Sequence, residues 1–501
     1  VSARAALGIA LALGLLASQA SAGSVCVNKT GGGGCQTSIQ TAVNMAVATP
    51  PGIVKIGPGT YFETVTTPDT AGGGDDLQII GSGKTLTIID SGPPTNAEGI
   101  VLGAAVGVKV ANLTVQNSAG QGGIFASTGA DDAVISGVGV LGAASLSGIN
   151  ITGNGVQVLS SEVRGCRCGD GNGLGDGTGF GIVVFGNQGI LKGNTVAQSG
   201  GAVAAAIAGD GGQVVANKVI SFGHVDATID GTPLLLGVVA TGQNGTGGSI
   251  VTGNTIENLG PGDSTVSVFG AAMLEDARPT LSSNRLINAG AIVAQCTGCT
   301  PGGLVKGNTV TGSPTHTTGL IVITDAAGLT AQQNKLSYTG GVTVLGNTGL
   351  TSGSGVTLLQ NTVTGTHYPR DCFEVSGSGH TLTGNNAKDC GASGFWLVGD
   401  DLLLSGNSVS GARQSGFSID GYNGGGTPHF GITLQDNKAS GVFQGFAIFD
   451  SNAAHGPDQP TSVTLTGNTG SLERQDFCHE DAGSYPGNTF TTIATTCDVR
   501  H

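Results

Sequence analysis

The sequence predicts an all-β chain wound as a parallel β-helix. Three observations carry this. A short phrase recurs with a period of about 22 to 30 residues. Each period holds at least two short alternating strands, with Gly or Asn between them. Gly is 92 of 501 residues, about 18% against a usual share of about 7%. So much Gly would cost a helical protein about 1 kcal/mol per interior position.

The recurring phrase is apolar, any, apolar, small, then Asn or Gly-Asn, then apolar. It is read at Asn112, Asn194, Asn217, Asn254, Asn284, Asn308, Asn334, Asn361, Asn385, Asn407, Asn437 and Asn468. Spacings from Asn284 to Asn407 are 24, 26, 27, 24 and 22, and longer gaps mark loop insertions. A second phrase, Gly-apolar-any-apolar, lies between, as in Gly319-Leu320-Ile321-Val322 and Gly341-Val342-Thr343-Val344. Periods of this length mean stacked units that share one core. The Asn is expected to take the left-handed turn conformation and to bond its equivalents in neighbouring coils. A leucine-rich repeat would need Leu at several fixed sites. A propeller would need longer blades with an aromatic signature, and Trp396 is the single Trp.

Composition narrows the class. Charged residues are 10%, mean hydropathy is +0.17, and the net charge is −14. That is the reverse of a disordered composition. Nineteen Lys and Arg form no basic run in the sequence, so a nucleic-acid partner is not expected. Arg4, the apolar stretch Ala5 to Ala17, and Ala20-Ser21-Ala22 read as a secretory signal over residues 1–22. No later segment is apolar enough for a membrane span. The ten Cys fall into five near neighbours: Cys26/Cys35, Cys166/Cys168, Cys296/Cys299, Cys372/Cys390 and Cys478/Cys497. An even count with an export signal favours disulfides and a secreted or cell-surface location. Cys166 and Cys168 are too close in sequence for an easy bond, and Cys296-Thr-Gly-Cys299 reads as a loop clip.

The opening segment adds a resemblance. Ser38-Ile39-Gln40-Thr41-Ala42-Val43-Asn44 is followed by Ile53-Val54-Lys55-Ile56-Gly57-Pro58-Gly59-Thr60-Tyr61. With the repeats, this resembles the single-stranded right-handed parallel β-helix proteins of the pectate-lyase-like superfamily, over about residues 36 to 470. The resemblance implies a short helix capping the first coil, and Ile39, Val43, Ala46 and Val47 make one apolar helical face. The expected organisation is a signal at 1–22, an N-terminal cap with a short helix at 23–50, the β-helix at 51–470 and a C-terminal cap at 471–501. Counting anchors gives about 14 or 15 coils and a rod about 70 Å long at about 4.8 Å per coil.

Candidate chemistry gathers where the repeat is least bland. Residues 365–455 hold 10 of the 21 aromatics and 4 of the 8 His. Phe373, Phe395, Phe417 and Phe446 recur in one position and are expected to stack inward. Strand alternation then turns Glu374, Trp396 and Asp420 outward. Asp371, Glu374, Trp396, Arg413 and Asp420 are expected to share an exposed face and its rim, with Lys388, Tyr422 and His429 in adjoining turns. Such a face suits a polysaccharide. Trp396, Tyr422 and His429 would bind sugars, and Arg can hold a uronate carboxylate in bidentate fashion. The resemblance implies a lyase or C5-epimerase with calcium, with Arg413 or Lys388 as base or anion stabiliser and Asp371 and Glu374 as acids or calcium ligands, and Asp420 is a further catalytic candidate on the same face. The alternatives are a non-catalytic, adhesin-like, glycan-binding rod and a glycoside hydrolase. Asp75-Asp76, Asp131-Asp132 and Asp400-Asp401 read as turns, and the Gly/Asp-rich loop from Cys168 to Gly177 as a weaker calcium candidate. A monomer is expected.

Overall fold

The structure is a computed structural model. It describes residues 23–68, 74–92, 97–168, 179–223, 228–229, 232–242, 248–259, 267–274, 276, 278–295, 302–312, 320–324, 328–345, 355–420, 431–449, 463–471, 475–479, 487–490 and 493–494. The secretory signal, the Cys296/Cys299 pair and the loop after Cys168 lie outside them.

The chain winds as a single-stranded right-handed parallel β-helix, three strands per coil. A coil runs through a first-sheet strand such as Ile190–Lys192, a second-sheet strand such as Thr195–Ala197, and a third-sheet strand such as Val203–Ala208. The second sheet has 16 strands, one per coil. Numbered from Ile53, coil 16 begins at Thr464. Two coils, over residues 53–66 and 78–101, already form upstream of Asn112, the first anchor of the repeat. At about 4.8 Å per coil the rod is about 75 Å long. The pattern also outlasts residue 470, since Gln475–His479 pairs parallel with Gln444–Phe449.

Inward side chains from all three sheets form one core. The helix Ile39–Ala46 closes its open end and buries Ile39, Ala42, Val43 and Ala46, while Val47 is only partly buried. Ser38 caps the helix, its Oγ accepting from the Thr41 amide at 3.2 Å. The Glu63 carboxylate, from the first coil, accepts from the Ile39 and Gln40 amides at 2.8 and 3.0 Å. A carboxylate at a helix N-terminus satisfies amides that have no partner within the helix.

The Asn repeat is a buried ladder at the corner between the first and second sheets. Asn334 is typical. Its Oδ1 accepts from the Asn308 amide at 3.0 Å and from Asn308 Nδ2 at 2.9 Å. Its Nδ2 donates to Val305 O and to Asn361 Oδ1, both at 2.9 Å. The ladder runs from Asn194 to Asn468 and continues to Asn488. Two sequence expectations are corrected here. The left-handed residue is the one before the Asn, such as Gly193, Gln333 or Asp436, and not the Asn itself. Asn112 is such a residue, with φ 56°, and the buried Leu113 fills the ladder slot in its coil. The second aspartate of each of the three Asp-Asp pairs turns a third corner in the same left-handed way, Asp76, Asp132 and Asp401 having φ of 57, 55 and 53°.

Inside coils 12 to 16 lies an aromatic column. Phe373, Phe395, Phe417 and Phe446 stack with centroids 4.6, 4.9 and 4.9 Å apart and planes within 6°. Phe477 continues the register.

Asn334→Ala removes the acceptor of a buried amide and one unit of the ladder. It is expected to lower stability by about 2–3 kcal/mol, read as an earlier denaturation midpoint, whereas Gln333→Ala on the exposed rim is expected to stay within about 1 kcal/mol.

Candidate functional site

The outer face of the third sheet changes character along the rod. One column of outward residues, in register from coil to coil, reads Val183, Ala206, Val239, Ala272 and Val293. All five are buried and pack as a second apolar cluster outside the solenoid. The column passes Val322 in coil 10 and then reads Thr343, Glu374, Trp396 and Ser418. It becomes apolar again at Ala447 and Cys478. Polar and aromatic groups thus occupy a window over coils 11 to 14.

Beside this window is the corner between the second and third sheets. Cys372 and Cys390 form a disulfide there, joining coils 12 and 13. Thr366 fixes the approach: its Oγ accepts from the Gly391 amide at 2.8 Å and donates to Arg370 O at 2.9 Å. Gly391 has no room for a side chain, because a Cβ would stand 2.4–2.5 Å from the His367 and Tyr368 backbone. The close crossing holds Tyr368, Arg370 and Asp371 on the rim of the window. Arg413, from the same corner of coil 14, lies over the Tyr368 ring, its Cζ 5.9 Å from the centroid.

Asp371 is the electrostatically distinctive group. Its Oδ1 accepts from the Ser393 amide at 2.6 Å. Burial pushes its carboxyl up to about 6, and the negative charge of Glu374 adds to the rise. The Ser393 amide and the Arg370 charge oppose it. A polar line continues down the stack, with Ser393 Oγ 3.2 Å from Ser418 Oγ.

The candidate residues do not all lie together in the fold. Asp371, Glu374, Trp396 and Arg413 border one window, Glu374 and Trp396 being directly paired across strands. Asp420 faces outward but is only 1% exposed, so it is not on an open face as expected. Lys388 is exposed on the second sheet, 4.0 Å from Asp389, and not in a turn beside Glu374. Tyr422, His429 and Cys497 lie outside the described residues. Disulfides also join Cys26 to Cys35 and Cys166 to Cys168, and Cys478 is disulfide-bonded. The Cys166–Cys168 bond forms despite the single residue between them.

Sequence reasoning missed Tyr368 and Arg370 as rim residues. Their adjacency to Asp371 and Cys372 was the available signal. His380 is a buried member of an apolar corner column, its Nδ1 accepting from the Val356 amide at 3.2 Å and its Nε2 lying 3.2 Å from Ser376 O. A cleft of about 360 Å³ lies at the other end of the rod, against the capping helix. It is lined by Gln40, Asn44, Thr66, Pro68 and Leu102, with no ionisable side chain, and the Gln40 amide is spent on Thr66. The cleft and the polar window are therefore at different places on the rod.

No family model and no curated protein matches the chain. Among solved structures it is similar to the A-module of a mannuronan C-5 epimerase from Azotobacter vinelandii, at 12% identity over 86% of this chain and 95% of that one, TM-score 0.33. A GH87 α-1,3-glucanase from Streptomyces thermodiastaticus aligns at 12% identity over 89% and 66%, TM-score 0.33. A pectin methylesterase bound to a hexasaccharide aligns at 12% identity over 47% and 79%, TM-score 0.28. Likenesses this distant transfer no residue of the site.

His380 and Asp371, the shifted groups of coils 12 and 13, act in opposite senses. His380 is held below its ordinary 6.5 by burial, so it erodes stability as the pH falls through about 6.5, where the unfolded chain takes the proton first. Asp371 is raised, so the folded state holds its proton between about 4 and 6 and its charge is a stability cost above pH 6. Asp371→Asn keeps the acceptor for Ser393. It is expected to stabilise the fold by about 1–2 kcal/mol at pH 7.5, with the gain vanishing near pH 4, measured as melting temperature against pH.

Proposed function

We propose that the protein is an exported β-helix enzyme acting on an extended anionic polysaccharide, of the lyase or C5-epimerase type. One observation carries the reading. A carboxyl raised to about 6, Asp371, borders a solvent-reachable window together with Glu374, Trp396 and two guanidinium groups. Buried, perturbed acids beside complementary charges are a mark of functional sites. The disulfides fit an oxidising compartment.

Arg413 and Arg370 would hold a uronate carboxylate, and Trp396 would stack on a sugar ring. Removal of the C5 proton puts the electron pair into that carboxylate, where the guanidinium groups stabilise it. In a lyase the C4–O bond then breaks and a C4–C5 double bond forms. In an epimerase the proton returns from the other face. Asp371 is the group that gives or takes a proton near neutral pH. Lys388 faces a different sheet and has no part in the step.

Calcium enters this proposal only as a bridge to substrate. Asp371 and Glu374 supply two carboxylates, and among the described residues no three His, Cys, Asp or Glu gather to hold a metal. A calcium ion takes six to eight oxygens. The pair does not fit a resident ion, and no step depends on one.

A glycan-binding rod without catalysis is the second reading. The apolar, buried outer column of coils 5 to 9 favours it, since five consecutive coils of the third sheet put no polar group in the position that Glu374 and Trp396 take in coils 12 and 13.

Proton NMR of uronate polysaccharides incubated with the protein, with and without calcium, tests both. Unsaturated ends mark a lyase, and altered uronate ratios without cleavage mark an epimerase. Asp371→Asn is expected to lower turnover by about 100-fold or more, and Arg413→Ala by about 100-fold. Unchanged spectra across the panel would leave the binding rod.

A further inference from the structure

Charge is segregated between the sheets. From coil 8 to coil 16 the charged residues of the described third-sheet strands are all acids: Glu374, Asp420 and Asp476. From coil 6 to coil 16 the second sheet holds five cations, Lys218, Arg285, Lys335, Lys388 and Lys438, and one acid, Glu257. All five cations are exposed. They sit in coils 7, 9, 11, 13 and 15. The even coils between carry Thr255, Thr309, Thr362 and Ser408 in the same register column. Lys218, Arg285, Lys335 and Lys438 share that column, and Lys388 stands two residues further along its strand. The column therefore alternates cation and hydroxyl from coil 7 to coil 12, with a cation about every 9.6 Å, two strand spacings; in coil 13 Asn386 takes the column position and Lys388 lies two residues along the strand, and Lys438 resumes the column in coil 15.

Repulsion between like charges on adjacent strands explains the hydroxyl spacers. It does not explain the uniform sign. Acids in the even coils would relieve the repulsion better, and a chain with 33 Asp and Glu does this only at Glu257, 3.4 Å from Arg285. On a protein of net charge −14, a same-sign row fits a partner with regularly spaced negative charge.

We propose that the second-sheet face is a docking track for an extended polyuronate, lying lengthwise with the carboxylates of alternate sugars on successive cations and sugar hydroxyls on the Thr and Ser between. The occupant's identity rests on the proposed function. The track lies beside the candidate site, because Lys388 leads through Cys390 into the corner that holds Asp371 and Arg413. It gives an acidic protein a basic approach for an acidic polymer.

The test is binding of polyuronate chains of defined length at several salt concentrations, followed by calorimetry, with wild type, Arg413→Ala and the triple variant Arg285→Gln/Lys335→Gln/Lys438→Gln. An unchanged melting temperature of the triple variant shows that its fold is intact. The triple variant is expected to bind long chains about tenfold or more weakly, with a shallower salt dependence, and to bind trisaccharides as wild type does. Where turnover is present, its KM for long chains is expected to rise while kcat stays unchanged. Equal binding of long chains by wild type and the triple variant would overturn the track, whatever the turnover. Stronger binding of single-stranded DNA than of polyuronate would overturn the assigned occupant. Track binding without turnover of any uronate would sink the enzyme reading and leave the track standing.

Discussion

Everything in this molecule depends on stacking equivalent residues in register about 4.8 Å apart. The Asn ladder makes that register specific. Each buried Asn satisfies an amide of the coil before it and is held by the Asn of the coil after it. A slip by one residue would bury an amide without a partner and turn a whole strand's apolar set outward. The early coils use Leu113, Val138 and Ser161 in the same slot, and the ladder begins in the sixth coil, where Asn194 Oδ1 accepts from the Ser161 amide. The phenylalanine column fills the interior of coils 12 to 16 by the same rule.

A solenoid built this way has a strong bias toward sameness, and chemistry requires a local break in it. Coils 12 to 14 supply one. The close crossing at Gly391 and the Cys372–Cys390 disulfide pin a corner where Arg370, Asp371 and Arg413 leave the repeat while Phe373, Phe395 and Phe417 keep it underneath. The rigid column supports the irregular rim, which is how a site is held in place without its own core. Asp371 is the price: its charge is partly buried beside another acid, an arrangement retained against stability.

The rod also shows how three faces of one repeat diverge. The first sheet is rich in Thr toward its C-terminal end and carries four scattered lysines, the second carries the row of cations from coil 7 to coil 15, and the third carries acids in coils 12, 14 and 16. A net charge describes none of these faces. Only the winding places Lys218 and Lys438, 220 residues apart in sequence, on one line.

The sequence by itself determined the winding, because the Asn period, the Gly spacing and the apolar alternation are local and repeat in every coil. It also determined the Phe column and the turn character of the Asp pairs. It misplaced the left-handed residue by one position, since Gly-Asn and Gln-Asn share a turn and either member can be read as its pivot. Tertiary structure decided what the outward positions meet. Glu374 and Asp420 both alternate outward, yet one borders a window and the other is buried. Alternation fixes a side of the sheet and not what covers it. Lys388 and Arg413 lie on different faces for the same reason: three sheets share one period, and only closure of the coil assigns each residue to a face.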